Sequence, residues 1–129
     1  MTSYRTPLGR ARGKGAAKHG VTHWLAERIS AAALVPLVLW GVYAALQIAG
    51  SGYDGAVAWL TAGAINPVLL ILLVAVAFWH MNAGMRVIIE DYIHKPSSKV
   101  ALLLLNLFVC ALGGALAVFS VLKVALGGV

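Results

Sequence analysis

Charge is scarce in this sequence. Only 11% of its 129 residues are Asp, Glu, Lys or Arg, whereas 61% are hydrophobic. Water-soluble domains carry about 25% charged residues, and a soluble chain this short has no core large enough to hide so much apolar surface. The shortage excludes an ordinary soluble domain and points to lipid. Cysteine is nearly absent too. The single Cys110 lies in an apolar stretch, can make neither an internal disulfide nor a cysteine metal cluster, and reads as a small packing residue. Alternating polar and apolar segments are missing, which sets aside the strands of a membrane barrel. No internal repeat or low-complexity segment is present.

What the sequence does contain is three apolar runs, each long enough for the roughly 20 residues that a spanning helix needs. The expected fold class is an all-α membrane protein with three transmembrane helices, forming part of a heteromeric anchor bundle. A basic segment, 1–28, precedes the first span at 29–49, which Gly50-Ser51-Gly52 ends. A loop at 50–66 leads to the second span, 67–89, with Pro67 in its first turn and Asn66 as the expected N-cap. That span meets Glu90-Asp91 and a loop at 90–98, and the third span, 99–126, ends at Gly127-Gly128. Pro36 is expected to bend the first helix, which neighbouring helices in a membrane accommodate.

The net charge of +6 is uneven. Arg5, Arg10, Arg12, Lys14, Lys18 and Arg28 precede the first span against one acid, Glu27. The loop at 50–66 holds no Lys or Arg, while the loop after Glu90 holds Lys95 and, at its end, Lys99. By the positive-inside rule the N-terminus and the second loop share the cytoplasmic side of a bacterial inner membrane (the matrix side, if mitochondrial), and the first loop and the C-terminus face the opposite, periplasmic side. The tail has no interleaved aromatics beyond Tyr4, so nucleic acid is not its partner; orientation and anionic lipid are. The apolar run after the tail is too long for a cleavable signal peptide. An Arg-rich, acid-poor start also has the composition of an organellar transit peptide, but it runs directly into residues of the working protein. Trp24, Tyr53, Trp59 and Tyr92 fall near the interfaces, where amphipathic rings settle.

Polar residues sit at Arg28, His80, Asn82, Arg86 and Asn106, within or beside the spans. Unpaired polar groups in lipid cost several kcal/mol, so these should face protein, cofactor or water. Gly113, Gly114, Ala115 and Ala117 permit close helix packing. A partner polypeptide is expected.

His80 is the most informative position. It lies eleven residues before Asp91, about 16 Å along a helix, which puts an imidazole near the bilayer centre. A neutral ring can ligate iron through one nitrogen while the other is held by a hydrogen bond; the alternative is a histidine bonded between helices. Gly84, one turn on, either lets a flat macrocycle approach the backbone or serves helix packing. Asp91 returns to nearly the same face after three turns, with Tyr92 beside it. Tyr92 has an O–H for a quinone carbonyl, or is an aromatic-belt anchor. Asp91 orients an arginine, delivers protons, or is a solvated helix-end charge. Arg28 pairs a haem propionate or snorkels at a positive-inside boundary. His19 and His23 read as interfacial or solvated, and His94 as exposed.

These residues carry a resemblance. His23-Trp24-Leu25-Ala26-Glu27-Arg28-Ile29-Ser30-Ala31, followed by His80, Gly84 and Ile88-Ile89-Glu90-Asp91-Tyr92-Ile93-His94, resembles the small hydrophobic membrane anchor of succinate dehydrogenase (respiratory complex II), in its alphaproteobacterial and mitochondrial form. The resemblance covers nearly the whole chain. It implies that His80 is an axial ligand to the iron of haem b, the other ligand coming from a second anchor subunit. It implies that Tyr92 hydrogen-bonds ubiquinone, that Asp91 belongs to the same site, and that Arg28 lies near the haem propionates. Some family members use a further histidine at the haem edge; its spacing from the arginine differs here, so His23 is not carried over. The implied role is that of a non-catalytic anchor, with succinate chemistry on a flavoprotein partner and electrons passing through an iron–sulfur partner. A fumarate reductase anchor and a non-redox accessory protein of a membrane complex are the alternatives.

Overall fold

The computed structural model describes residue 4, residues 6–12 and residues 20–127. Arg5, Lys14, Lys18, His19 and Gly128 lie outside the described residues, as do the side chains of Arg10 and His23. Among the described residues the chain forms five helices and no strand: α1 (Pro7–Arg12), α2 (Gly20–Ile48), α3 (Gly52–Thr61), α4 (Ile65–Tyr92) and α5 (Pro96–Ala125).

Three helices contain apolar spans, Trp24–Ile48, Ile65–Tyr92 and Pro96–Ala125. Their 25, 28 and 30 residues exceed the roughly 20 needed to cross the hydrocarbon, so their ends reach past it or the helices tilt. The expected all-α membrane fold is what the chain adopts: a multi-pass membrane protein. Very little of the chain is buried, the core amounting to Ala44, Leu60, Ile89 and Cys110, with Ser30 beside them. Leu39, Leu105, Phe108 and Leu116 are largely open, as side chains meeting lipid or another polypeptide are.

The helices run beyond the expected spans for local reasons. α2 begins at Gly20, ahead of the apolar run, and continues unbroken through Pro36. α4 carries on through Glu90, Asp91 and Tyr92. There Arg86 Nε pairs with Glu90 Oε1 at 2.7 Å, one turn away, and Lys99 Nζ donates to the Glu90 carbonyl at 2.8 Å, satisfying a carbonyl that the helix end would leave bare. α5 starts at Pro96, earlier than Lys99, because proline's fixed φ suits a helix's first position; Lys95 before it is extended, as a residue preceding proline tends to be. Gly127, at φ +77°, stops α5 as a left-handed C-terminal glycine does.

The stretch between α2 and α4 is not a plain loop. Gly50 and Gly52 take positive φ, and the chain turns into α3. Helix α4 begins at Ile65 with Ala64 at the cap position, so Asn66 is not the N-cap. Its amide instead donates to the Trp59 carbonyl at 2.9 Å, tying α3 to the first turn of α4. Trp59 also meets Trp40 of α2, ring centroids 6.1 Å apart. α3 thereby touches all three long helices.

α4 is the central helix, packed against both α5 and α2, while the backbones of α2 and α5 do not approach each other closely. Small residues set the spacing. A Cβ on Gly113 would lie 2.7 Å from Phe78 Cε1 of α4, one on Gly114 3.3 Å from Phe78 Cβ and Cγ, and one on Gly41 of α2 2.8 Å from Leu73 Cδ2. Asn106 of α5 is satisfied across the same seam, its amide donating to the Asn82 carbonyl at 3.0 Å and its oxygen facing Cys110 Sγ at 3.5 Å.

Candidate functional site

His80 lies midway along α4, where that helix meets α2. Its Nδ1 is 3.0 Å from Ser30 Oγ, and Ser30 Oγ is 2.9 Å from the backbone carbonyl of Glu27. A carbonyl can only accept, so the one hydroxyl hydrogen goes to Glu27. The serine oxygen then meets Nδ1 with a lone pair, which requires Nδ1 to carry a proton and donate it. In the uncharged ring this leaves Nε2 with its lone pair free. Nε2 has no protein partner among the described residues, and no buried nitrogen or oxygen there lacks one, so Nε2 is open to the outside of the chain.

Outside the ring is a shallow concavity of about 440 Å³, lined by Ala31, Leu34, Val35, Val38, Leu39 and His80. His80 is its one polar wall. The α2 residues Ala31, Val35, Val38 and Leu39 form a stripe at helical spacing, and Arg28, three residues before Ala31, is the next position on it. Arg28 is exposed, its guanidinium 5.7 Å from the Trp24 ring centroid.

Because Ser30 sits against His80, Arg28 and the imidazole differ by only two residues, about 3 Å, along α2. Tyr92 is twelve residues, about 18 Å, further along α4. Arg28 therefore lies nearer to His80 than to Tyr92 in depth, toward the end of the bundle where α4 stops.

Gly84 follows His80 by one turn, and a Cβ there would meet nothing within 4 Å. Unlike Gly113 and Gly114, it is not pressed against another helix among the described residues. Asp91 and Tyr92 are both exposed at the end of α4, Tyr92 at 78%. Neither has a hydrogen-bond partner among the described residues, and the nearby arginine, Arg86, pairs with Glu90 and not with Asp91. His94 is exposed, as expected. Among the described residues no cluster of three His, Cys, Asp or Glu could hold a bare metal ion.

A larger apolar concavity, about 590 Å³, lies between α4 and α5 and reaches Ala26 of α2. Its polar edge is Asn82 and Arg86, and it has no imidazole. The smaller concavity is the one with a ring nitrogen of histidine on its wall. Ser30 is the residue that sequence reasoning passed over. It stood in the first motif without a role, since one hydroxyl in an apolar run makes no pattern. Its signal is a position on the helix face that meets α4, which only packing shows.

Fold and site together define a multi-pass membrane protein that presents a histidine with a free ring nitrogen on its own apolar surface. The chain belongs to the succinate dehydrogenase/fumarate reductase transmembrane subunit family, which it matches over residues 2–119. Among its relatives, the succinate dehydrogenase hydrophobic membrane anchor subunit of Rickettsia bellii (strain RML369-C) is 37% identical over 90 residues, covering 70% of this chain and 71% of the relative. The protein of the same description from Rickettsia conorii (strain ATCC VR-613 / Malish 7) is 28% identical over 107 residues, covering 83% and 85%. That from Paracoccus denitrificans is 30% identical over 127 residues, covering 98% and 96%. No solved structure matches the chain significantly.

Proposed function

We propose that this chain anchors a succinate dehydrogenase in the bacterial inner membrane, N-terminus cytoplasmic, and that it holds haem b and helps to bind ubiquinone. The observation that carries the reading is the open Nε2 of His80, its ring held from behind by Ser30, at an apolar concavity. The similarity to succinate dehydrogenase anchors supports the assembly.

The residues fit a haem. A ring nitrogen with a free lone pair is an iron ligand. Ala31, Val35 and Leu39 offer an apolar wall, Gly84 leaves room beside the ligand, and Arg28 stands on the same stripe as a cation for a propionate. When bound, haem b supplies a site that takes up and releases one electron. The chain's own part is to present one ligand, keep water away with aliphatic side chains, and place a positive charge at the edge. His80 would supply one ligand to the iron and the second anchor polypeptide the other.

At the end of α4, the Tyr92 hydroxyl donates to a ubiquinone carbonyl, and Asp91 beside it delivers protons to the reduced product. Both are exposed and unpaired among the described residues, as residues completed by a neighbouring polypeptide are. The iron–sulfur protein docks on this face and the flavoprotein beyond it.

Pulling the assembly from membranes through a tag on this chain is expected to bring a flavoprotein, an iron–sulfur protein and a second anchor, together with reduced b-type haem bands. Recovery of the chain alone, or with colourless partners, overturns the reading. Tyr92→Phe is expected to lower quinone reduction about tenfold or more, the loss of one charge-neutral hydrogen bond with its desolvated partner being worth about 1–3 kcal/mol. Haem content should be unchanged. Normal quinone kinetics in that variant would return Tyr92 to the aromatic belt.

A further inference from the structure

We infer that Ser30 is a positioning residue for the haem ligand, fixing the tautomer and direction of His80 and setting its strength as a donor to iron. The inference rests on the proposed ligand role of His80 and goes beyond it to a residue with no assigned part.

Ser30 is the buried polar side chain among the described residues, 6% exposed, and it lies in an apolar span. Serines in such helices commonly satisfy themselves by bonding a carbonyl one turn back, and Ser30 does so with Glu27 at 2.9 Å. That bond alone would meet the hydroxyl's need. Instead the same oxygen also bridges to another helix, 3.0 Å from Nδ1 of His80. Because its hydrogen is committed to Glu27, the oxygen is an obligate acceptor toward the imidazole. Two consequences follow. The ring is held with Nε2 turned away from Ser30 and open to the outside. Accepting the Nδ1 hydrogen also leaves more electron density on the ring, which makes Nε2 a more basic ligand. A more basic ligand favours the oxidised iron, so it holds the reduction potential down.

The test uses the whole assembly with three substitutions at one position. Ser30→Ala removes the acceptor and is expected to shift the haem midpoint potential to more positive values, with the reduced haem spectrum altered. Haem affinity should fall within the roughly 10–100-fold range typical of lost outer partners. Ser30→Thr keeps the hydroxyl and is expected to restore wild-type potential and spectrum. Ser30→Cys fills nearly the same space with a weak acceptor and should resemble Ser30→Ala; if volume alone mattered it would resemble the wild type, and that result overturns the inference. An unchanged potential and spectrum in Ser30→Ala, in an assembly where His80→Ala loses its haem, overturns it while leaving the ligand role standing. Full haem content in His80→Ala removes both.

Discussion

Replacing His80 with alanine is expected to cost the purified assembly most of its haem b, a fall of roughly tenfold or more per assembled complex. The scale follows from what outer partners alone contribute, about 10–100-fold in metal affinity; an inner ligand should matter at least as much. The open Nε2 is the only ring nitrogen of His80 that can serve, since Nδ1 is occupied by Ser30. Extracted haem is measured against the quantity of flavoprotein, so that failed assembly is not mistaken for a lost ligand. Haem at wild-type stoichiometry in His80→Ala would end the proposal. Gly84→Leu gives an independent approach to the same site. A Cβ there meets nothing within 4 Å among the described residues, so the helices should pack normally while haem content falls.

The second large effect is expected from the same kind of substitution on the other side of α4. Gly113→Leu would drive a side chain into the Phe78 ring, which a Cβ alone would approach to 2.7 Å. The ring has little room to retreat, because its root lies so near Gly114 that even a Cβ there would stand 3.3 Å from it. Overpacking of this kind typically costs about 1–3 kcal/mol. The variant should therefore unfold in detergent at lower temperature than the wild type, and Gly84→Leu should not. Equal stability of the two variants would mean that the α4–α5 seam does not depend on small residues.

Much of this architecture was legible because lipid imposes simple demands. Continuous apolar runs gave three spans, and Gly127 marked the end of the last helix through its left-handed backbone. Gly113 and Gly114 were recognisable as packing residues, and Cys110 as a buried small one. Helix ends were less legible. The expected segments stop where hydrophobicity stops, but α2 and α4 continue into charged sequence, where backbone hydrogen bonds and pairs such as Arg86–Glu90 sustain them. Asn66 has the chemistry of a cap, yet capping was displaced by a bond to Trp59 that exists only because α3 forms. His80, Gly84 and Arg28 could be singled out by residue type and spacing along one helix. Ser30 could not, nor could the nearness in depth of Arg28 and His80, because both depend on how α2 slides against α4, and one-helix periodicity carries no record of that register.

The arrangement of α2, α4 and α5 has one more consequence. With α4 packed against both α2 and α5, the concavity beside His80 is lined by α2 and α4 alone. Among the described residues, no third helix stands across it to cover a flat molecule resting there. On the proposed reading a lid comes from a neighbour arriving within the plane of the bilayer, so enclosure is gained only as the walls of the assembly come together.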